Sequence, residues 1–195
     1  LIAGNRRFPL LFARAAREKG YRVVAVAVKG ETDRGLARLV DSIHWVSLSQ
    51  FSSMIDIFTS QGVSRAVMAG QISPRQLFSR EVRESPQIQD ILSSITDKKA
   101  NTIFAEICRR IEAAGITMLD STFCLEDAVP RPGILTGRQP SPEEWDNIRF
   151  GYELAKKVAG LDIGLSVAVK SKAIVAVEAL EGTDNLIRRA GKLAR

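Results

Sequence analysis

The sequence predicts an α/β protein: a doubly wound parallel-sheet domain followed by a smaller α/β domain. Three observations lead to this prediction. Over residues 1–128, short β-branched runs alternate with amphipathic segments of helical length, and glycines or polar turns separate them. Four prolines then fall within residues 129–142, which is typical of a linker. Residues 143–195 show a different order, with a helix, two strands and another helix.

The first half of the N-terminal domain contains four predicted strands, because apolar and β-branched residues run together there. Helical periodicity fills the three gaps between them, and Pro9 suits the first turn of the first helix, where a missing N–H group costs least. Gly20 and Gly62 follow the first and third helices. Strand–helix alternation of this kind favours a Rossmann-like sheet with crossover helices on both faces. The predicted strands are 1–3, 22–28, 43–48 and 65–69, and the helices are 8–19, 34–40 and 50–61.

The later elements follow from capping and breaking residues. A polar helical region is expected over 74–114, broken near Pro86 and around 96–98, and a strand over 116–119 follows it. Ser141, Pro142 and Glu144 form a helix-start pattern for a helix that runs to Ala159. Strands are expected at 166–169 and 174–178, before a last helix that begins near Thr183. The first strand and the last helix both look cut short, so we expect a fragment whose C-terminal domain is incomplete.

Composition excludes several classes of protein. The chain has 195 residues, of which 45% are hydrophobic and 26% charged, as in an ordinary globular protein. No apolar run approaches the ~20 residues of a membrane helix. Two cysteines and one histidine support neither a disulfide scaffold nor a Cys/His zinc site, and unpaired thiols favour the cytoplasm. The net charge of +6 suits a nucleic acid, an anionic membrane or a phosphorylated small molecule, but the basic residues are too dispersed for nucleic acid.

Three candidate sites follow predicted strands of the N-terminal domain, at the edge where doubly wound sheets bind ligands. Gly4 and Asn5 lie between the first strand and first helix, where a helix N-terminus favours a phosphate. Lys29 rather than an acidic residue follows the second strand, which argues against a dinucleotide site. Gly70 ends the fourth strand, and Ser121 lies in the Asp-Ser-Thr turn that ends the fifth. A simple turn is the alternative interpretation at each of these positions, and at Ser121 it is the favoured one.

The most informative pattern joins the last strand to the last helix. It places Glu181 and Asp184 beside a glycine and Thr183, and Asp162 lies on a turn shortly before it. Carboxylates at chain reversals suit a hard cation such as Mg²⁺, and one of them could align a water nucleophile. Arg188, one helical turn further on, could face a phosphate. Alternatively, Thr183 caps the helix and Asp184 only complements the helix dipole.

The order of these motifs resembles the LpxI-type UDP-2,3-diacylglucosamine pyrophosphatases over essentially the whole chain. The segments that carry the resemblance are 1–5 with Phe8-Pro9, 66–70, 120–122, 133–136, 161–164, 176–184 and 189–191, with Trp145, Asp146, Ile148 and Gly151. The resemblance implies hydrolysis of the pyrophosphate in UDP-2,3-diacylglucosamine to UMP and 2,3-diacylglucosamine 1-phosphate, in lipid A biosynthesis. It also implies a Mg²⁺ (or Mn²⁺) cofactor and a ligand held between two domains. We expect water to attack the phosphorus nearer the sugar, with UMP as the leaving group.

Site residues follow from the motifs and the resemblance together. Asp184 is expected to be catalytic, and Asp184, Glu181 and Asp162 are the expected metal ligands. The expected substrate-binding residues are Gly4, Asn5, Gly70, Ser121, Thr136, Gly164, Thr183 and Arg188. The expected partner is the nucleotide glycolipid, and no nucleic acid is expected. We also expect a cytoplasmic protein that contacts the inner membrane surface transiently, and a homodimer.

Three residues depart from the family pattern near the expected site. Family members often carry glycine at the position of Arg6, a lysine or similar group at Gln71 and glutamine at Leu165. These departures leave one alternative open, in which the chain is a non-catalytic nucleotide-binding or regulatory module of the same fold.

Overall fold

The computed structural model describes residues 1–77, 79–97 and 100–194. The chain divides into two compact units, Leu1–Pro130 and Arg131–Arg195. The second unit therefore takes in most of the segment predicted as a proline-rich linker, 129–142. Each unit is described below by itself.

A parallel sheet forms the centre of the N-terminal unit, which confirms the predicted α/β class with a Rossmann-like domain. The strands of this unit are β1 (Ile2–Ala3), β2 (Val24–Val28), β3 (Ser42–Val46), β4 (Arg65–Ala66), β5 (Met68–Ala69) and β6 (Thr117–Met118). Four of them pair in the order β3-β2-β1-β5, and β4 pairs with β6; all of these pairings are parallel.

The run predicted as one strand, 65–69, is divided in the structure. Its first half, β4, pairs with β6, and its second half, β5, pairs with β1. At the division, Val67 accepts a hydrogen bond at its carbonyl oxygen from the backbone N–H of Ile2 (2.8 Å). In the four-stranded sheet β1 lies between β2 and β5: β2 and β3 are added on one side of β1, and β5 is added on the other.

The helices of the N-terminal unit lie between the strands, close to the predicted positions. The long predicted helical region is divided into four, and Ser85 accepts a hydrogen bond from the backbone N–H of Ile88 at the start of the helix that Pro86 opens. The predicted break around 96–98 extends to Lys98, which lies outside the described residues. The helices are α1 (Phe8–Glu18), α2 (Phe51–Ser60), α3 (Pro74–Leu77), α4 (Arg80–Arg83), α5 (Pro86–Ser93) and α6 (Ala100–Ala113).

One predicted helix, 34–40, is a 3₁₀ turn over Arg34–Arg38 instead. The side chain of Asp33 accepts a hydrogen bond from the backbone N–H of Gly35 (2.7 Å), which tightens the turn from its first residue. Five residues are too few for a stable α-helix without such local support. The short helix predicted there is therefore present, as a 3₁₀ helix that ends two residues earlier.

The sheet carries a hydrophobic core on each face, as expected for parallel strands with helices on both sides. Alternate residues of β2 point to opposite cores, since Ala25 belongs to one and Val24 and Val26 to the other. Helix α1 covers the first face through Phe12 and Ala13. The second face packs against residues of α2, α6 and the segments beside them: Met54, Phe58, Ile111 and Ile116.

The C-terminal unit is a two-stranded antiparallel hairpin with two helices. Its elements are α7 (Pro142–Gly160), β7 (Val167–Lys170), β8 (Ala173–Val177) and α8 (Thr183–Leu193). The predicted helix start at Ser141 is confirmed, because its hydroxyl accepts from the Glu144 N–H and the Glu144 carboxylate accepts from the Ser141 N–H. The small core of this unit contains Ala176 on β8 with Leu186 and Ala190 on α8.

Candidate functional site

The carboxyl edge of the parallel sheet is the first candidate site. Gly4 follows β1 and Gly70 follows β5, and these two neighbouring strands lie where the strand order reverses. Open α/β sheets bind ligands in the crevice at such a switch point. An apolar pocket opens at this edge, and its lining includes Gly4, Gly70, Leu48, Met54, Phe104 and Ile107.

The two glycines at this edge are required by the close approach of two loops. An ideal Cβ at Gly4 would lie 2.4 Å from the carbonyl oxygen of Gln71, and one at Gly70 would lie 2.5 Å from that of Asn5. Gly70 also has φ +89°, which disfavours any side chain. The backbone N–H of Asn5 donates to the Gln71 carbonyl oxygen (2.7 Å). The loops after β1 and β5 are therefore paired backbone to backbone.

Arg6 takes a glycine-like conformation in the loop after β1. Its φ is +66°, in the left-handed region that side chains disfavour. Glycine was the residue expected at this position from the family resemblance. With arginine in its place, the loop still has the backbone conformation that glycine favours. The following helix, α1, begins after Arg7 without a side-chain cap.

Glu31 is a residue of this edge that the sequence analysis missed. It lies in the turn after β2, and its carboxylate accepts a hydrogen bond from the Asn5 side-chain amide (2.6 Å). It also accepts bonds from the backbone N–H (3.0 Å) and the hydroxyl (2.5 Å) of Ser73. Lys29 directly follows the second strand, whereas Glu31 lies within the turn beyond it. The usable signal was an acidic residue three positions beyond that strand.

Two further predicted substrate-binding residues lie in turns. Ser121 is exposed in a turn after β6, in which Asp120 accepts hydrogen bonds from the Thr122 hydroxyl and the Thr122 N–H. These bonds hold the pKa of the Asp120 carboxyl below its ordinary value. Thr136 belongs to the C-terminal unit, where its hydroxyl donates to the carbonyl oxygen of Arg138 (2.8 Å).

The second candidate site lies where β8 leads into α8. Glu178 follows β8, is only 7% exposed, and accepts a hydrogen bond from the Thr183 hydroxyl, with both carboxylate oxygens 3.1 Å away. The hydroxyls of Ser166 and Thr183 are 3.4 Å apart. Gly164 approaches the same point, because its ideal Cβ would lie 2.0 Å from the carbonyl oxygen of Glu178. The structure thus brings Gly164 and Thr183 together around a buried carboxylate that was not among the predicted site residues.

Asp184 occupies the first turn of α8 and is exposed within its unit. Gly182 precedes the helix with φ +82°, and its carbonyl oxygen accepts bonds from the N–H groups of Asn185 and Leu186. Arg188 lies one turn further along α8 and donates to the side-chain oxygen of Asn185 (3.0 Å). A carboxylate at this end of a helix lies at the positive end of the helix dipole.

Glu181 has other contacts in the turn before α8. One carboxylate oxygen lies 2.6 Å from the Arg189 guanidinium, and the other accepts from the Ala179 N–H (3.1 Å). A backbone N–H bond and the bond from Arg189 lower the pKa of this carboxyl. Arg189 also donates to the carbonyl oxygen of Val177 (2.9 Å), so the pair ties α8 to the end of β8.

Asp162 ends helix α7. It has φ +55°, and its N–H donates to the Ala159 carbonyl oxygen while the next N–H, of Ile163, donates to that of Val158. This is the Schellman pattern of a helix C-terminus, in which a residue with positive φ closes the last turn. Aspartate tolerates this conformation better than most side chains.

The arrangement of the carboxylates decides how the expected metal could be held. Among residues 1–77, 79–97 and 100–194, no group of three or more His, Cys, Asp or Glu side chains is placed to hold an ion. Asp184, Glu181 and Asp162 therefore do not form a three-carboxylate site. Mg²⁺ commonly binds through one or two carboxylates and completes its coordination with phosphate oxygens and water. The residues present fit that second arrangement, with Asp184 as the exposed carboxylate.

No helix in the described part of the chain is long and apolar enough to cross a bilayer.

Comparisons with known proteins agree with the motifs. The family model of the LpxI N-terminal domain matches residues 1–128, and that of the LpxI C-terminal domain matches residues 131–195. A curated relative, the UDP-2,3-diacylglucosamine pyrophosphatase LpxI of Caulobacter vibrioides, is 24% identical over 195 residues, which are 99% of this chain and 69% of the relative. The chain therefore belongs to the LpxI family, a family of pyrophosphate-bond hydrolases, as its sequence motifs predict.

Proposed function

We propose that this chain hydrolyses the pyrophosphate bond of UDP-2,3-diacylglucosamine, giving UMP and 2,3-diacylglucosamine 1-phosphate. The observation that carries the proposal is the start of α8, where Asp184 stands exposed beside Thr183, whose hydroxyl is fixed by the buried Glu178. Family membership supports it, because the Caulobacter relative bears that activity in its name.

Asp184 is the proposed catalytic residue. Its carboxylate accepts a hydrogen bond from the attacking water, orients that water toward phosphorus and takes its proton as the new bond forms. Its neighbour Thr183 has little freedom, because Glu178 holds the Thr183 hydroxyl and Gly182 sets the direction in which the helix starts. The carboxylate is therefore carried on a pre-organised helix end rather than on a loose loop.

The proposed reaction balances without any further reactant. The water oxygen bonds to the phosphorus nearer the sugar, and the bond from that phosphorus to the bridging oxygen breaks. UMP leaves with the bridging oxygen, and the water oxygen remains in the sugar phosphate. Arg188, exposed on the same helix, is a candidate to contact the negatively charged phosphates.

A Mg²⁺ or Mn²⁺ ion is part of the proposal, with Asp184 as the carboxylate that would hold it. When bound, such an ion neutralises charge on the pyrophosphate. Glu181 and Asp162 stay predicted ligands. Glu181 already pairs with Arg189, and the Asp162 backbone closes the end of α7.

The carboxyl edge of the N-terminal sheet is proposed to bind the nucleotide half of the substrate. Gly4, Asn5 and Gly70 meet there, and the net charge of +6 favours an anionic ligand. Because the acyl chains of the substrate lie in a bilayer, we also propose that the protein is cytoplasmic and contacts the inner membrane surface transiently. The proposal also includes a homodimer, because two domains joined by a proline-rich segment can be exchanged between copies.

The test is UMP release from UDP-2,3-diacylglucosamine by the Asp184→Ala and Asp184→Asn variants. Loss of a general base costs on the order of 10²–10⁴-fold in kcat, and both variants should lose at least 100-fold. Glu153→Gln is the matched control, because Glu153 is an exposed carboxylate on α7 of the same unit and belongs neither to the candidate site nor to the family motifs. Wild-type turnover in the Asp184 variants would show that the catalytic assignment is wrong.

Two added arms test the finer claims. Chelator should abolish UMP release and Mg²⁺ or Mn²⁺ should restore it, and label from ¹⁸O-water should appear in the sugar phosphate rather than in UMP. A non-catalytic module would instead bind uridine nucleotides equally well with and without metal and release no UMP. That result would replace the proposed function with the binding alternative.

A further inference from the structure

The turn after β2 carries a carboxylate that fastens the other two loops of the sheet edge. Glu31 accepts the side-chain amide of Asn5 from the loop after β1, and both donors of Ser73 from the segment after β5. Three donors on one carboxylate are strong, charge-assisted hydrogen bonds. We call this set of three residues, Asn5, Glu31 and Ser73, the loop clasp.

The turn that carries Glu31 is itself anchored to the sheet. The buried Thr32 donates its hydroxyl to the Ala3 carbonyl oxygen (2.5 Å) and accepts from the Val28 N–H (2.9 Å). Its backbone N–H also donates to the Val28 carbonyl oxygen (3.0 Å). Glu31 is therefore held by its neighbour, and the two loops that it bonds are positioned against a fixed point.

The carboxylate also decides which way the Asn5 amide faces. Only the NH₂ group of an amide can face a carboxylate, so the amide oxygen, Oδ1, must point the other way. That oxygen is buried and has no hydrogen-bond partner among the described residues. An unpartnered buried acceptor is unfavourable, and the amide nevertheless keeps this orientation because the bond to Glu31 requires it.

We propose that Glu31 is a positioning residue for nucleotide binding, acting through Asn5. Since Asn5 is a proposed substrate-binding residue, this inference rests on the proposed function. Glu31 fixes the Asn5 side chain and the loops after β1 and β5 before the nucleotide arrives. It takes no part in the bond-breaking step, which the proposed function assigns to the C-terminal unit.

The test compares Glu31→Gln with Glu31→Asp in the full chain. Glutamine loses the charge but keeps the length: its oxygen accepts from Asn5 and the Ser73 N–H, and its NH₂ group donates to the Ser73 hydroxyl. Aspartate keeps the charge but is shorter by one methylene, about 1.5 Å, so it cannot reach the same donors. We expect the KM of Glu31→Gln to stay within threefold of wild type and the KM of Glu31→Asp to rise at least tenfold. The kcat of both variants should change less than threefold.

An Asn5→Ala background separates positioning from a general loss of structure. There, the difference in KM between glutamine and aspartate at position 31 should fall below threefold, because the side chain through which Glu31 acts is gone. Glu126→Asp is the matched control, since its exposed carboxylate pairs with Lys19 at the C-terminal end of α1 and makes no part of the loop clasp, and it should leave both constants unchanged. Thermal midpoints of every variant are measured alongside.

Two outcomes would overturn the inference. Equal KM values for Glu31→Gln and Glu31→Asp, or a full tenfold difference that persists in the Asn5→Ala background, would each exclude positioning through Asn5. Absence of UMP release by the wild-type chain would instead count against the proposed function. In that case the same variants are compared by calorimetric binding of UMP, where tenfold weaker binding by the aspartate variant alone supports the clasp.

Discussion

Replacing Gly164 by alanine tests the closest backbone contact in the C-terminal unit. An ideal Cβ at this position would lie 2.0 Å from the carbonyl oxygen of Glu178 and 2.7 Å from its carbonyl carbon. Protein Cβ atoms essentially never approach another heavy atom within 3.0 Å, so the two segments must separate by at least 1.0 Å. Both obstructing atoms belong to the backbone, and no side-chain rotation relieves the contact.

The displacement would reach the candidate site directly. The Glu178 N–H donates to the Ser166 carbonyl oxygen (2.9 Å), and the Glu178 carboxylate holds the Thr183 hydroxyl at the start of α8. We expect Gly164→Ala to lower the free energy of unfolding of this unit by about 1–3 kcal/mol, the usual cost of overpacking. UMP release should fall as well, because the helix end that carries Asp184 is displaced.

Urea unfolding followed by tryptophan fluorescence measures this effect. The chain has two tryptophans, Trp45 on β3 and Trp145 on α7, so a Trp45→Phe background makes the signal specific to the C-terminal unit. Gly160→Ala is the control, because nothing lies within 4 Å of its ideal Cβ and alanine favours the helix by up to about 1 kcal/mol. If Gly164→Ala unfolds at the same urea concentration as its parent and keeps its activity, the packing argument is refuted.

Two further predictions concern residues with positive φ. Asp162→Gly should be about 1 kcal/mol more stable than Asp162→Ala, since both remove the carboxylate and only glycine adopts the φ of +55° at the end of α7 without strain. Urea midpoints measure this, and the Mg²⁺ concentration that gives half-maximal activity in the same variants shows whether the carboxylate also serves the metal. Arg6→Gly should be about 1 kcal/mol more stable than Arg6→Ala, because both remove the same side chain and only glycine suits φ +66°. Equal thermal midpoints of the two variants would mean that the loop relaxes instead.

Most of the fold could be predicted because its signals are local. The β-branched run at Val24–Val28 has no helical periodicity, and Ser141 with Glu144 contains both halves of a capping box in four residues. Strand–helix alternation then limits the sheet to parallel pairings. The division of 65–69 between two neighbours could not be foreseen, because it depends on which strands lie on either side and not on the run itself.

The sequence indicated where candidate site residues lie in the chain, but not which contacts each of them makes. The loops after β1 and β5 were expected at one edge, yet the three bonds that Glu31 makes there join residues separated by 26 and 42 positions in the chain. Contacts between residues so far apart in the chain leave no local pattern in the sequence. Glu178 was visible as a carboxylate in a motif, but its burial depends on the packing of Gly164 against it, and that is a tertiary property.

The acidic residues of the 178–184 motif have distinct roles in the structure, although the sequence presents them as one cluster. Glu178 is buried and fixes Thr183, while Glu181 pairs with Arg189 and fastens α8 to β8. A carboxylate that is committed to such bonds acts through the geometry that it enforces. Asp184 is the exposed acid on the first turn of α8, where the helix dipole favours negative charge and a phosphate ester in solution can approach. Glu178 and Glu181 thus fix the start of α8, and the proposed function relies on that fixed helix end to carry Asp184.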